Sequence, residues 1–198
     1  MKKILVVTHN PGKVSEFQTI LKDYQVFNLN DFNLKIDIEE NGETYQENAL
    51  LKVKAIHGFE DYLFEDYLIV ADDSGIEIDV LKGRPGIYSA RYLGENTSYK
   101  IKNQQILSML KDETKRTAYF KCGIALKYQN SYYFFSGELK GEIALQVAGK
   151  DGFGYDPIFY LPEYQKTTAE LSDYGKNKIS HRKKALEKLA DFLKEKNL

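Results

Sequence analysis

The chain has 198 residues, 28 of them Lys or Arg and 29 Asp or Glu, for a net charge of −1. Such a length suits one substantial domain or two small lobes sharing a core, and the neutral balance gives no electrostatic basis for nucleic acid as the main partner. A single cysteine, Cys122, excludes an intramolecular disulfide and a multi-cysteine zinc site, and three histidines argue against a His-rich metal centre. With no long apolar run and no signal-peptide pattern, the reading is a soluble protein of a reducing compartment, the cytoplasm, with no membrane partner.

Lys3 to Val7 reads as a short strand stopped by Thr8-His9-Asn10-Pro11-Gly12. Val14, Phe17, Ile20 and Leu21 then recur at helical spacing, predicting a helix from about Gly12 to Lys22. Val26 to Leu29 reads as a second strand, and a longer helix begins near Asn48 with Ala49, Leu50, Val53, Ile56 and Phe59 as its apolar stripe. Leu68 to Ala71 and Ile76 to Val80 read as two strands around an acidic turn, followed by a glycine-rich loop from Lys82 to Asn96. Thr97 or Ser98 suits the cap of a helix carrying Ile101, Ile106, Leu107 and Leu110. Thr117 to Tyr128 and Ser131 to Gly137 predict a hairpin turned by Gln129-Asn130, with a further strand at Gly141 to Leu145. A last helix, Arg182 to Lys196, carries Ala185, Leu189, Phe192 and Leu193 on one face. No repeat or linker interrupts this order, so residues 1–198 read as a single mixed α/β unit with a βα start, a hairpin-rich middle and helical ends.

Chemistry concentrates in a few segments. Ile69-Val70-Ala71 runs into Asp72-Asp73-Ser74-Gly75, and adjacent strand residues point to opposite faces, so the two carboxylates take different roles. One can hold a divalent cation or activate water while the other is fixed by donors; an Asp-rich turn is the plainer account. At Thr8 to Lys13 a strand meets a helix N-terminus, which favours phosphate, and Lys13 adds a full charge; Asn10 as N-cap with Pro11 behind it needs no ligand at all. Neither a Walker A loop nor a dinucleotide-binding glycine fingerprint is present.

Glu39, Glu40, Asn41, Gly42, Glu43 and Glu47 gather before the second helix. Mg²⁺ binds through one or two carboxylates plus substrate phosphates, which Glu40 with Asp73 would satisfy, with Lys52 in reach. Gly152-Phe153-Gly154-Tyr155-Asp156-Pro157 suits a loop that stacks a ring on a flat ligand, with Asp156 held extended before Pro157, or a tight turn between strands. Ser180-His181-Arg182 opens the last helix after Lys176, and His181 and Arg182 can hydrogen-bond a base edge or a phosphate.

Taken together and in order, T-H-N-P-G-K, E-N-G-E-T-Y-Q-E-N-A, A-D-D-S-G, G-R-P-G-I-Y-S-A-R-Y, G-F-G-Y-D-P-I-F and S-H-R make the chain resemble the inosine/xanthosine triphosphate pyrophosphatases, the Ham1-like family. The resemblance implies a bent central mixed β-sheet flanked by helices, two lobes around a nucleotide cleft, and a homodimer. It implies hydrolysis of ITP, dITP and XTP to monophosphate and pyrophosphate with Mg²⁺, clearing deaminated purines from the nucleotide pool. By motif, Asp73 is the expected general base and a metal ligand, Glu40 the second metal ligand, and Asp72 and Glu39 supporting acids. Thr8, His9, Asn10, Pro11, Gly12 and Lys13, with Lys52, are expected to hold the triphosphate. Ser74, Phe153, Gly154, Tyr155, Asp156, Lys176, His181 and Arg182 are expected to complete nucleotide binding, Phe153 by stacking on the base. A Maf-like pyrophosphatase of other modified or pyrimidine triphosphates, and a nucleotide sensor without turnover, are the rival readings.

Overall fold

The structure, a computed structural model, describes residues 1–56, 58, 59 and 63–198. Its strands are β1 (Lys3–Val6), β2 (Gln25–Asn28), β3 (Tyr67–Ile78), β4 (Thr117–Tyr128), β5 (Ser131–Ile143), β6 (Phe159–Leu161) and β7 (Lys166–Thr167). Its helices include α1 (Pro11–Ile20), α2 (Tyr45–Lys54), α3 (Tyr99–Met109), α4 (Asp173–Ile179) and α5 (His181–Glu195). The strands form one seven-stranded sheet in the order β2-β1-β3-β4-β5-β6-β7, which does not close on itself. β1 pairs in parallel with both β2 and β3, whereas β5–β6 and β6–β7 are antiparallel, so the sheet is mixed and the fold α/β.

The chain divides into two compact units, the first made of Met1–Asp73, Cys122–Gly137 and His181–Leu198, the second of Ser74–Lys121 and Glu138–Ser180. In the first, strand alternation sorts side chains onto two buried faces. Ile4, Val6, Val70, Cys122, Ile124 and Leu126 pack with Phe17 and Leu21 of α1 and with Ala185, Leu186, Leu189 and Leu193 of α5. Leu5, Val7, Ile69, Ala71 and Ala125 face the other way, against Ala49, Val53 and Ile56. The second unit has its own core, in which Ile76, Ile78, Ala118, Phe120 and Ile143 pack with Ile106 and Leu110 and with Ile158, Phe159 and Leu161.

Several boundaries depart from the sequence reading. β3 runs unbroken from Tyr67 to Ile78, so Asp72-Asp73-Ser74-Gly75 is strand and not a turn; buried partners for both carboxylates, described below, remove the reason for the chain to turn out to solvent. β5 likewise runs through Gly137 and absorbs the separate strand expected at Gly141 to Leu145. Gly137 is no strand terminator: a Cβ there would overlap the backbone carbonyl of His181, so its missing side chain lets α5 dock. α2 starts at Tyr45, three residues before the expected Asn48, because Thr44 and Glu47 form a reciprocal capping box. Asp156 lies in a short 3₁₀ turn (Asp156–Ile158) and is not extended. β6, β7 and α4 carry too few residues for periodicity to register.

Candidate active site

The parity that builds the core also sorts the acids. Asp72 follows Val70 onto the face covered by α1 and α5, and Asp73 follows Ile69 and Ala71 onto the face covered by α2. Both are buried, at 1% and 5% exposure. Each carboxylate meets a lysine. Lys13 Nζ lies 3.1 Å from Asp72 Oδ2. Lys52 Nζ lies 3.2 Å from Asp73 Oδ1 and 2.8 Å from Glu40 Oε1. Both ammonium groups also donate to the backbone carbonyl of Asp72, at 3.4 Å from Lys13 and 3.1 Å from Lys52. The acidic strand segment and the first helix therefore converge on one centre within the first unit.

Arg182 closes the Asp72 side. Its Nε donates to Asp72 Oδ2 at 3.0 Å and its Nη1 to Glu16 Oε2 at 3.0 Å, with the guanidinium fully buried. Burial alone would raise the Asp72 carboxyl, but the charges of Lys13, Arg182 and Lys52 outweigh it and hold that group well below the usual carboxylate range. Burial likewise works against the charge on Lys52, and the Asp73, Glu40 and Asp72 carboxylates reverse the sign and raise its pKa. Asp72 is thus a fixed anion inside a basic frame, while Asp73 and Glu40 share one ammonium between them.

The N-terminus of α1 differs from the phosphate cradle expected of free N–H groups. Pro11 at the first helical position has no N–H, and Asn10 Oδ1 accepts from Gly12 N at 2.9 Å and from Lys13 N at 3.3 Å. Asn10 N in turn donates to Thr8 Oγ1 at 3.1 Å, and His9 Nδ1 is 2.8 Å from Asn30 Oδ1. What this end presents to an anion is the Lys13 charge and the helix dipole. Of the two neighbouring acids, Glu40 faces Lys52 whereas Glu39 is exposed.

The second unit gathers a different set. Asp156 is buried at 2% exposure and acts as a hub: Oδ2 accepts from Phe153 N at 2.7 Å and from Lys176 Nζ at 2.6 Å, and Oδ1 accepts from Thr168 Oγ1 at 2.8 Å. Lys176 Nζ sits 4.4 Å from the centroid of the Phe153 ring, which stays 37% exposed. Tyr155 points the other way, into the core, donating from its hydroxyl to Ser89 O at 2.8 Å and meeting Tyr99 edge-on at 5.3 Å. Gly154 is held through its carbonyl by Asn103 Nδ2 at 3.2 Å. Ser74 is half-buried in β3.

Of the expected site residues, Lys13, Lys52, Glu40, Asp72 and Asp73 come together in the first unit, and Phe153, Asp156 and Lys176 in the second. Arg182 is engaged with two carboxylates, and His181 beside it is buried. Glu16, Asn48, Asn103 and Thr168 escaped the sequence reading. Asn48 and Lys52 are one helical turn apart beside the apolar stripe of α2, a spacing that marks polar groups on a buried face. Glu16 lies three residues after Lys13, next to Phe17 on the inward side of α1.

Two lysines and three carboxylates thus gather within one α/β unit. The chain belongs to the Ham1 family, whose sequence model matches residues 4–192. A protein from Clostridium perfringens named dITP/XTP pyrophosphatase is 43% identical over 203 residues, covering 98% of both chains. The structure of the Staphylococcus aureus Ham1 protein superposes with a TM-score of 0.86 at 41% identity, covering 98% of this chain and all of that one. A HAM1 protein from Coxiella burnetii gives a TM-score of 0.87 at 39% identity, again over 98% of this chain.

Proposed function

We propose that this protein hydrolyses deaminated purine nucleoside triphosphates (dITP, ITP and XTP) to the nucleoside monophosphate and pyrophosphate, clearing them from the nucleotide pool before polymerases use them. The observation that carries the reading is the convergence of Asp73, Glu40, Lys52 and Lys13 on one strand segment, in a chain whose 43% identical full-length relative bears the name of that activity.

Water attacks the α-phosphorus: its oxygen forms the new P–O bond, the bond to the bridging oxygen breaks, and pyrophosphate leaves. Asp73 accepts the proton from that water. Lys13 and Lys52 place fixed charge against the phosphate chain and the departing pyrophosphate, so these side chains work mainly by positioning and electrostatics. The donor set fits Mg²⁺: Glu40 and Asp73 offer hard carboxylate oxygens close enough to share the Lys52 ammonium, and two carboxylates are what a cation that retains waters and phosphate oxygens requires. When bound, Mg²⁺ would neutralise phosphate charge at these two residues. Thr8 to Gly12, which precede Lys13 in the chain, take the triphosphate together with it, with Asp72 fixing the lysine and Arg182 fixing Asp72.

Base recognition falls to the other cluster, with Phe153 offering its exposed ring and Ser74, Gly154, Tyr155, Asp156 and Lys176 shaping or charging that segment. A purine with a 6-keto oxygen accepts hydrogen bonds where adenine offers an amino group, and leaving buried donors unpaired is what discriminates. His181 contributes through the backbone at the start of α5. The protein works as a single catalytic domain, as a homodimer, in the cytoplasm; among the described residues no helix is long and apolar enough to cross a membrane.

Incubation with Mg²⁺ and ITP, dITP, XTP, ATP, GTP or dTTP, followed by ion-exchange chromatography, tests the reading. The expected products are monophosphate and pyrophosphate from the first three. Diphosphate with free phosphate, or faster turnover of dTTP than of ITP, overturns it. Asp73→Asn is expected to abolish pyrophosphate release while the thermal melt stays near that of the unmodified protein, and near-normal turnover would remove Asp73 from its role.

A further inference from the structure

We propose that Asn48 is a positioning residue for this centre: it sets the orientation of the Asp73 carboxylate and ties it to the turn that carries Glu40. The inference rests on the hydrolase reading above and adds a residue to it. Asn48 is wholly buried in α2, beside Ala49 and Val53 of the apolar core, where an apolar side chain would carry no polar demand. A primary amide in that setting is unfavourable unless its hydrogen bonds are made.

Both ends of the amide are used, and they reach different parts of the centre. Nδ2 donates to Asp73 Oδ2 at 3.0 Å, and Oδ1 accepts from the backbone N–H of Gly42 at 2.9 Å. Gly42 stands two residues after Glu40, and an added Cβ there would lie 2.7 Å from Glu47 Cβ and 2.9 Å from Asn48 Oδ1. The turn is therefore pressed directly onto the start of α2, with Asn48 as the polar link through it. One small side chain thus bridges the segments that supply the two carboxylates, which also share the Lys52 ammonium.

The division of labour on Asp73 follows. Oδ2 is tethered by a neutral donor that no incoming phosphate competes for, whereas Oδ1 faces the Lys52 ammonium at 3.2 Å, a partner that an incoming phosphate does attract. When Lys52 turns to a phosphate chain, Oδ1 becomes available and the tether keeps the carboxylate aimed. Partners of this kind, acting on a ligating carboxylate from behind, are typically worth about 10–100-fold in metal affinity or activity.

The test uses Asn48→Leu, which keeps the branched four-atom side-chain shape and removes both bonds, and Asn48→Asp, which keeps the acceptor for Gly42 N–H but turns a carboxylate towards Asp73. Steady-state kinetics on dITP are read together with Mn²⁺ titration of the free protein by electron paramagnetic resonance. For Asn48→Leu the expected result is a fall in kcat of at least about tenfold with KM changed by less, and Mn²⁺ binding weakened by about tenfold. Asn48→Asp is expected to lose kcat as well, although its Gly42 bond survives. A variant that melts at a lower temperature but keeps both kcat and Mn²⁺ binding overturns the proposal and leaves Asn48 a packing residue. Should the unmodified protein release no pyrophosphate, the hydrolase reading fails on its own, and the Mn²⁺ isotherms still decide whether Asn48 organises the two carboxylates.

Discussion

Asp72 and Asp73 are chemically identical neighbours, and one step of strand alternation gives them opposite surroundings. Asp72 is locked between Lys13 and Arg182, so it acts by holding those cations, whereas Asp73 has a neutral tether and a lysine. Removing Lys13 leaves Asp72 still paired with Arg182, so Lys13→Ala is expected to fold and to lose chiefly its grip on the triphosphate. A fall of about 100-fold in kcat/KM for dITP, the scale for deleting one charge-stabilising donor, is the expected kinetic result. Arg182 behaves differently, because two buried carboxylates depend on it. Arg182→Met leaves Asp72 with Lys13 alone and takes the guanidinium away from buried Glu16, and it is expected to destabilise by about 3–5 kcal/mol, measured by chemical denaturation, with activity lost as a consequence.

At the scale of elements, α1, α2 and α5 each deliver polar groups to an otherwise apolar interface with the sheet. α1 brings Lys13 and Glu16, α2 brings Asn48 and Lys52, and α5 brings Arg182, each lying within a turn or so of core residues such as Phe17, Val53 or Ala185. The position of α5 depends on Gly137, where a side chain would meet the carbonyl of His181, one residue before Arg182. Gly137→Ala is therefore expected to cost about 1–3 kcal/mol through forced displacement, seen as a drop of roughly 2–4 °C in Tm per kcal/mol for a chain of this size. The shift should reach Arg182, so dITP turnover should fall along with Tm. An alanine variant with an unchanged melt would mean that α5 does not need this close approach.

For the molecule as a whole, the buried face that houses Asp72 also houses its lone thiol. Cys122 is 1% exposed, with Sγ 4.0 Å from Asp72 Oδ2. Burial, and then the Asp72 charge, push the thiol well above its ordinary pKa. A thiol that stays protonated and covered is unreactive. Ellman's reagent at pH 8 is expected to modify no thiol in the folded protein and one per chain in guanidinium, so the rate of modification at intermediate denaturant should report global opening. Rapid labelling of the native protein would show that this core opens locally.

Much of this was legible from residue order alone. Helical and alternating periodicities located α1, α2, α3, α5 and the β4–β5 hairpin, because a pattern repeated over ten or so residues outweighs local accident. The opposite orientation of Asp72 and Asp73 followed from the period-two geometry of a strand, whereas charge near helix starts made Lys13, Glu40 and Lys52 candidates and the family motifs singled them out. What composition and spacing left undecided were long-range pairings. The sequence suggested a turn at Asp72-Asp73 because two adjacent acids favour solvent; tertiary structure supplied Lys13, Arg182, Asn48 and Lys52 from three helices, and with those partners the strand continues. Arg182 could be placed near the site by motif, but its partners lie 110 and 166 residues away in the chain, at Asp72 and Glu16. Local propensity governs which segments become helix or strand, whereas the fate of a buried charge is decided by whichever opposite charge the folded chain brings to it.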